Sequence, residues 1–315
     1  MKNNLIYFYS DGSKTRGYGH LYRSLALYSK FLLRRDVLFL SRNIYQRKFF
    51  LDHGLPFIEL NQFKPNNREF HLIVDSKEDS LSKINYFLEN AKKKLCIDSY
   101  QDWSTEFDLN IIPSFYVRKE LLKKNEKKGK VKHGRDFVIL RKDYINNVDE
   151  TDILITFGGS DPNDLTSKVL SYLTEKNINL KISAIIGPSF PRKNNYYSLL
   201  YPNVNFIYQP ISTFNYIEKC KIVFTALGTT IQEIEFLGKK GIISFNYQSD
   251  VQDFNLIKSS SNNPDNWIKL GYYKNLNFES LKFSELDKVF DSDMLGGPKE
   301  WGLGWKSIIR ELNEN

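Results

Sequence analysis

Along the first third of the chain, short runs of apolar residues alternate with polar stretches whose spacing is helical. "NNLIYFY" is a buried-strand run, and the polar, glycine-bearing "SDGSKTRGYGH" follows it. After that turn, Leu21, Leu25, Leu27, Tyr28, Phe31 and Leu32 recur at roughly the period of one helix face. The unit is strand, glycine loop, helix. Strand-like runs return at "DVLFLS", "HLIVDS", "KKLCIDSY" and "LNIIPSFY", with "NYFLENAKKK" as a helical piece among them. Alternation of this kind predicts a parallel sheet of Rossmann type. Around "RKELLKKNEKKGKVKHGRDFVILRKDYI" the pattern dissolves into lysine and then recovers as a short strand and an extended connection, which places a domain boundary between Ile145 and Asp152.

The second half restarts the same logic. "DILITFGG", "LKISAIIG", "VNFIYQ", "KIVFTALG" and "KGIISFN" read as strands. "SDPNDLTSKVLSYL" reads as a helix opened by Asp161 and Pro162, since an acidic side chain serves free N–H groups and proline tolerates the first turn. The expected division is an N-terminal Rossmann-like domain over 1–147, a nucleotide-binding Rossmann-like domain over 148–290, and a C-terminal helix within 291–315 that packs back on the core. Trp301 and Trp305 belong to that helix's packing face.

At 315 residues, two domains are also what length alone suggests. The formal charge of +8 points to an anionic partner without choosing among nucleic acid, an acidic membrane face and a charged small substrate. The lysine run lacks the interleaved aromatic residues of a single-strand binding platform, so nucleic acid is not expected; a solvated surface or a peripheral contact with an anionic membrane remains. Cys96 and Cys220 have no metal-ligand neighbours at Cys-x-x-Cys spacing and read as reduced core residues. His53, His71 and His133 have no partner spacing and read as structural. The N-terminal stretch has neither a long apolar segment nor a small-residue cleavage site, and no run approaches a membrane span, so the expectation is a cytoplasmic protein.

Chemistry concentrates at the glycine loops. In open α/β sheets, ligands lie beyond the carboxyl ends of the strands, where helix starts offer unpaired N–H groups to anions. Gly158, Gly159, Ser160 and Asp161 form one such loop, and Gly228, Thr229 and Thr230 open a second helix. His20 and Arg23 lie one helical turn apart behind the first loop of the chain, where an imidazole suits general-base work near neutral pH. Asp11 is a candidate to orient His20 or to bind sugar hydroxyls, Arg23 to touch phosphate or to form a salt bridge on the helix surface, and Asp75 to face the same site or cap a turn.

Six ordered blocks, "SDGSKTRGYGHLYRSLAL", "HLIVDS", "FDLNIIPSFY", "HGRDFVILRKDY", "FGGSDPNDLT" and "ALGTTIQEIEFLGKKGI", resemble the UDP-sugar hydrolases of the bacterial pseudaminic acid pathway and their spore-coat polysaccharide relatives. That resemblance, distantly shared with the MurG glycosyltransferases, implies α/β GT-B architecture, with two Rossmann-like domains facing across a cleft. It implies an enzyme of surface-glycan biosynthesis that hydrolyses a UDP-linked N-acetylated amino-deoxysugar with release of UDP. A glycosyltransferase using the same donor site with a sugar or lipid-linked acceptor is the alternative. The nucleotide sugar is then substrate, and neither cofactor nor metal is expected. By the same resemblance the catalytic histidine falls on His20, with Asp11 beside it. Ser13, Gly17, Gly19, Arg23, Asp75 and Lys77 fall on the sugar side. Gly158, Gly159, Ser160, Asp161, Ile186, Gly228, Thr229, Thr230, Gln232, Glu233 and Gln248 fall on the nucleotide side, with Glu233 placed to accept from ribose hydroxyls and Ile186 near the uracil. Two positions depart from the family pattern: Lys77 replaces a tyrosine, and Gln232-Glu233 replaces Asn-Glu.

Overall fold

The computed structural model describes residues 5–12, 18–31, 36–64, 68–126, 130–140, 147–176, 180–191, 194–281 and 301–313. It divides into two units: Met1–Leu140 with Glu300–Asn315, and Arg141–Lys299. The division thus precedes the expected boundary by several residues, and the last helix belongs to the N-terminal unit.

The N-terminal unit runs β1 (Leu5–Ser10), α1 (Gly19–Phe31), β2 (Val37–Ser41), α2 (Ile44–Asp52), β3 (Phe57–Glu59), β4 (Phe70–Asp75), α3 (Asn85–Asn90), β5 (Lys93–Ile97), β6 (Leu109–Ile112), α4 (Lys119–Glu126) and β7 (Lys130–His133). All strands are parallel, in the order β3-β2-β1-β4-β5-β6-β7. Alternate residues of β1 enter opposite cores: Ile6 and Phe8 meet α1 and α2 residues such as Leu27 and Phe49, while Leu5, Tyr7 and Tyr9 pack with Phe70, Val74 and Phe87. Burial on both faces explains why β1 reads as an unbroken apolar run. The lysine-rich segment folds as α4 and then the short edge strand β7, which a brief turn of 3₁₀ helix and extended chain follow.

The C-terminal unit runs β8 (Thr151–Thr156), α5 (Leu165–Glu175), β9 (Ile182–Ile186), α6 (Asn194–Leu200), β10 (Asn205–Tyr208), α7 (Phe214–Glu218), β11 (Cys220–Ala226), α8 (Thr230–Phe236), β12 (Lys240–Phe245), α9 (Asp250–Ser260) and β13 (Trp267–Tyr272). Its parallel sheet is ordered β10-β9-β8-β11-β12-β13. Both units therefore start in mid-sheet, build outward to one side, and cross back to build the other. The crossing creates a switch point between β1 and β4 in one unit and between β8 and β11 in the other.

The final helix, α10 (Gly304–Asn313), seats Trp305, Ile308, Ile309 and Leu312 in the N-terminal core. Trp305 Nε1 donates to the Phe137 carbonyl at 2.8 Å, and a Cβ at Gly304 would stand 2.6 Å from the Phe137 ring, so glycine permits this docking. Among the described residues no helix is long and apolar enough to cross a membrane.

Candidate functional site

At the N-terminal switch point, β1 and β4 pair through Ser10 and Asp75. Asp75 is fully buried, and its carboxylate collects three groups delivered by α1. His20 Nδ1 lies 2.6 Å from Asp75 Oδ1. Arg23 donates through Nη2 to the same oxygen at 2.6 Å and through Nε to Oδ2 at 2.8 Å, a two-pronged grip. The one-turn spacing of His20 and Arg23 brings both onto one carboxylate. Arg23 Nη1 then donates to Asp98 Oδ2 at 2.9 Å, and Lys77 Nζ lies 3.5 Å from that oxygen.

Burial works to raise the Asp75 carboxyl, yet Arg23 and His20 outweigh it and hold it well below the ordinary carboxylate range. Asp98 is lowered in the same way against its own burial, chiefly by Arg23 and Lys77. Desolvation pulls Arg23 toward neutrality, but the two carboxylates keep its affinity for the proton above the ordinary value. A carboxylate held ionised cannot donate, so the proton between Asp75 and His20 rides on Nδ1. In the neutral ring Nε2 then carries the lone pair; among the described residues it has no hydrogen-bond partner, and the side chain keeps 16 % exposure.

Two expectations are corrected here. The carboxylate that orients His20 is Asp75. Asp11 instead ties the two strand ends together: its backbone N–H donates to the Asp75 carbonyl at 2.9 Å, and its Oδ2 accepts from Lys77 N–H at 2.9 Å. Arg23 is no phosphate ligand, because at 9 % exposure its guanidinium is already engaged by Asp75 and Asp98. Lys77 is half exposed. Gly19 opens α1, with clear space where a Cβ would stand. Gly12 is tight against Leu21, whose side chain a Cβ would overlap. Ser13 and Gly17 lie outside the described residues.

Sequence reading missed Asp98, Arg42 and Glu78. Arg42 pairs with Glu78 and lies 3.7 Å from Asp11, while the Tyr9 hydroxyl donates to Glu78 at 2.6 Å. A signal for Asp98 was present: "IVDS" and "CIDS" both end a buried strand in Asp-Ser, placing Asp75 and Asp98 at equivalent ends of adjacent strands.

The C-terminal switch point is built otherwise. Gly158, Gly159 and Ser160 follow β8, and Gly228, Thr229 and Thr230 follow its neighbour β11; all but the half-buried Thr230 are exposed. Gly158 has φ +78, which a side chain would resist, whereas Gly159 and Gly228 have ordinary backbone and open space at the Cβ position. The fold itself does not require those two glycines. Gly187 is the packing glycine, since a Cβ there would meet the carbonyl oxygens of Gly158 and Gly159 at 2.5 Å.

Asp161 serves the free N–H groups at the start of the helix, as its sequence position suggests. It is buried, and its carboxylate accepts from Leu165 N–H at 2.9 Å and Thr166 N–H at 2.8 Å, so it caps α5 from outside the helix. The Ile186 side chain is 1 % exposed, in the core, and not available to stack on a base. Glu233 lies in the first turn of α8 and accepts from Thr213 Oγ1 at 2.7 Å. Gln232 is buried, and Gln248 is exposed ahead of α9. Cys96 and Cys220 are both buried and unpaired, and burial pushes the Cys220 thiol up to about 12. Among the described residues no group of three or more His, Cys, Asp or Glu is arranged to hold a metal ion.

No protein-family model matches the chain. An uncharacterized protein of Methanocaldococcus jannaschii is 27 % identical, in an alignment spanning 97 % of this chain and 69 % of that protein. Among solved structures, Arabidopsis thaliana UGT89C1 complexed with UDP-L-rhamnose superposes with a TM-score of 0.62 at 11 % identity, covering 99 % of this chain and 100 % of that one. UDP-GlcNAc 2-epimerase from Neisseria meningitidis bound to UDP-GlcNAc gives 0.55 at 12 % identity, with 99 % and 100 % covered. Acinetobacter baumannii MurG gives 0.52 at 9 % identity, with 99 % and 95 % covered. The two doubly wound sheets and these likenesses make the fold GT-B.

Proposed function

We propose that the chain is an enzyme acting on a nucleotide sugar, and that it hydrolyses a UDP-linked N-acetylated amino-deoxysugar at the anomeric carbon. The observation that carries this reading is the His20–Asp75 pair at the β1/β4 switch point, a base whose outer nitrogen is free. In the reaction, water gives a proton to His20 Nε2 while its oxygen bonds to the anomeric carbon. The carbon–oxygen bond to the diphosphate breaks, and its electron pair leaves with UDP. Four carboxylates, Asp11, Asp75, Asp98 and Glu78, share this cluster with the permanent cations Arg23, Arg42 and Lys77.

The C-terminal unit is assigned the nucleotide. Backbone N–H groups of Gly158 to Ser160 and Gly228 to Thr230 receive the diphosphate, Glu233 accepts from the ribose, and Gln232 and Gln248 belong to the same site. No metal is called for. Support comes from two similar folds solved with UDP-sugars, UDP-L-rhamnose in one and UDP-GlcNAc in the other. A second reading, a glycosyltransferase, is favoured by the same plant fold having been solved with quercetin as well as with UDP.

The test is UDP release from a panel of UDP-linked N-acetylated sugars, with no acceptor present. A hydrolase yields UDP and free sugar in equal amounts, and His20→Ala lowers the rate by about a hundredfold or more. Release that needs an added glycan acceptor reverses the assignment to transferase. Failure of every UDP-sugar, with and without acceptor, overturns both.

A further inference from the structure

The dyad leaves one group unexplained: Arg23 already has a two-pronged partner in Asp75, yet a second carboxylate, Asp98, is brought to its other edge. Asp98 reaches that position in an uncommon backbone conformation, φ +52, which L residues seldom adopt. The sheet holds it there. Its N–H donates to the Ile111 carbonyl at 2.8 Å, and the buried Asn110 side chain donates to the next carbonyl, that of Ser99, at 2.7 Å. This left-handed residue follows directly on β5, beside β4, so its carboxylate meets the side of the guanidinium that Asp75 does not touch.

The consequence is geometric. Held only at Nε and Nη2, the guanidinium can pivot about its stem; held also at Nη1, it cannot. Arg23 Nη2 lies 3.1 Å from His20 Nδ1 as well as 2.6 Å from Asp75 Oδ1. A small pivot would let Nη2 donate to Nδ1, which requires the other tautomer, with the proton on Nε2 and no base left to offer. We propose that Asp98 is a positioning residue: by clamping Arg23 from the far edge it reserves Asp75 Oδ1 for His20 Nδ1–H and keeps Nε2 free. It touches no reacting atom. The inference deepens the catalytic reading above and rests on it only for its kinetic consequence.

The decisive measurement needs no substrate. In ¹⁵N-histidine spectra of the full chain, His20→Gln identifies the His20 signals. The wild-type neutral ring is expected as the Nδ1–H form. Asp98→Ala, and more mildly the same-shaped Asp98→Asn, shifts the population toward Nε2–H, while Asp152→Asn in the other unit leaves it unchanged. With an active UDP-sugar in hand, Asp98→Ala lowers kcat about tenfold with little change in KM, and Asp98→Glu recovers part of the loss. A His20 ring that keeps the Nδ1–H form in both folded Asp98 variants overturns the proposal. Loss of UDP-sugar turnover in the wild type overturns the functional reading and leaves the tautomer measurement standing.

Discussion

The two switch points share a topology and differ in nearly everything else. In the N-terminal unit the strand ends carry Asp11, Asp75 and Asp98, locked to Arg23, Lys77 and His20. In the C-terminal unit the equivalent ends carry glycine, serine and threonine, mostly exposed and with open space where a Cβ would stand at Gly158, Gly159 and Gly228. Among the described residues, the first ties its polar groups to one another and leaves His20 Nε2 without a partner, while the second exposes its loop residues. A doubly wound sheet fixes where a ligand goes, and the side chains at the strand ends decide whether that place moves protons or cradles a charged group.

This contrast predicts unequal sensitivity. Arg23→Met removes the cation between two carboxylates, one of them fully buried, and is expected to cost about 3–5 kcal/mol. Denaturant unfolding followed by the Trp305 indole signal, which reports the N-terminal core, measures it. A loss under about 1 kcal/mol would show that water enters the cluster and that the contrast is weaker than drawn.

Glycines sharpen the comparison next. Gly12→Ala drives a Cβ into Leu21 and should cost about 1–3 kcal/mol of stability. Gly228→Ala meets nothing and should stay within about 0.5 kcal/mol. For the larger Gly228→Val, calorimetry should show UDP binding weakened about tenfold at unchanged melting temperature. Equal binding in the two proteins would remove that loop from the nucleotide site.

Glu233→Ala is expected to weaken UDP by about 1–3 kcal/mol, the cost of charge-assisted hydrogen bonds left unmade. CMP bound more tightly than UDP by the wild type would break the uridine assignment.

The smallest effect is the response to acid. Asp75 and Asp98 are lowered in the folded chain, so the stability they confer is complete above the unfolded carboxylate value of about 4. It is lost as pH falls through their folded values. Asp161 runs the other way: burial raises it against its hydrogen bonds, so its contribution improves as pH falls toward the unfolded value. Acid should therefore loosen the N-terminal unit first, with Trp305 indole signals lost before those of Trp267, and Asp98→Asn should narrow the gap. Simultaneous loss in both proteins would contradict this ordering.

Much of this was legible before any coordinates. The central strands announce themselves because both faces are buried and the apolar run is unbroken; β3 and β13, at sheet edges, carry no such run. Edge strands such as β7, with "KVKH", carry lysines and look like loop. His20, Arg23 and Asp75 were recognised as one neighbourhood, but their partners were misassigned. Asp11 and Asp75 stand at equivalent strand ends, so spacing alone treats them alike.

What the sequence determined by itself was the alternation of strand and helix, the two glycine turns and the one-turn spacing of His20 and Arg23, because each is a local matter of period and backbone freedom. What only the tertiary structure decided was who meets whom. That Asp75 rather than Asp11 takes the imidazole and that Asp98 reaches Arg23 across 75 residues both depend on strand order and on which face a side chain leaves. Parallel pairing joins residues far apart in the chain, and a carboxylate's partner is set by ångströms of packing that no period in the sequence encodes.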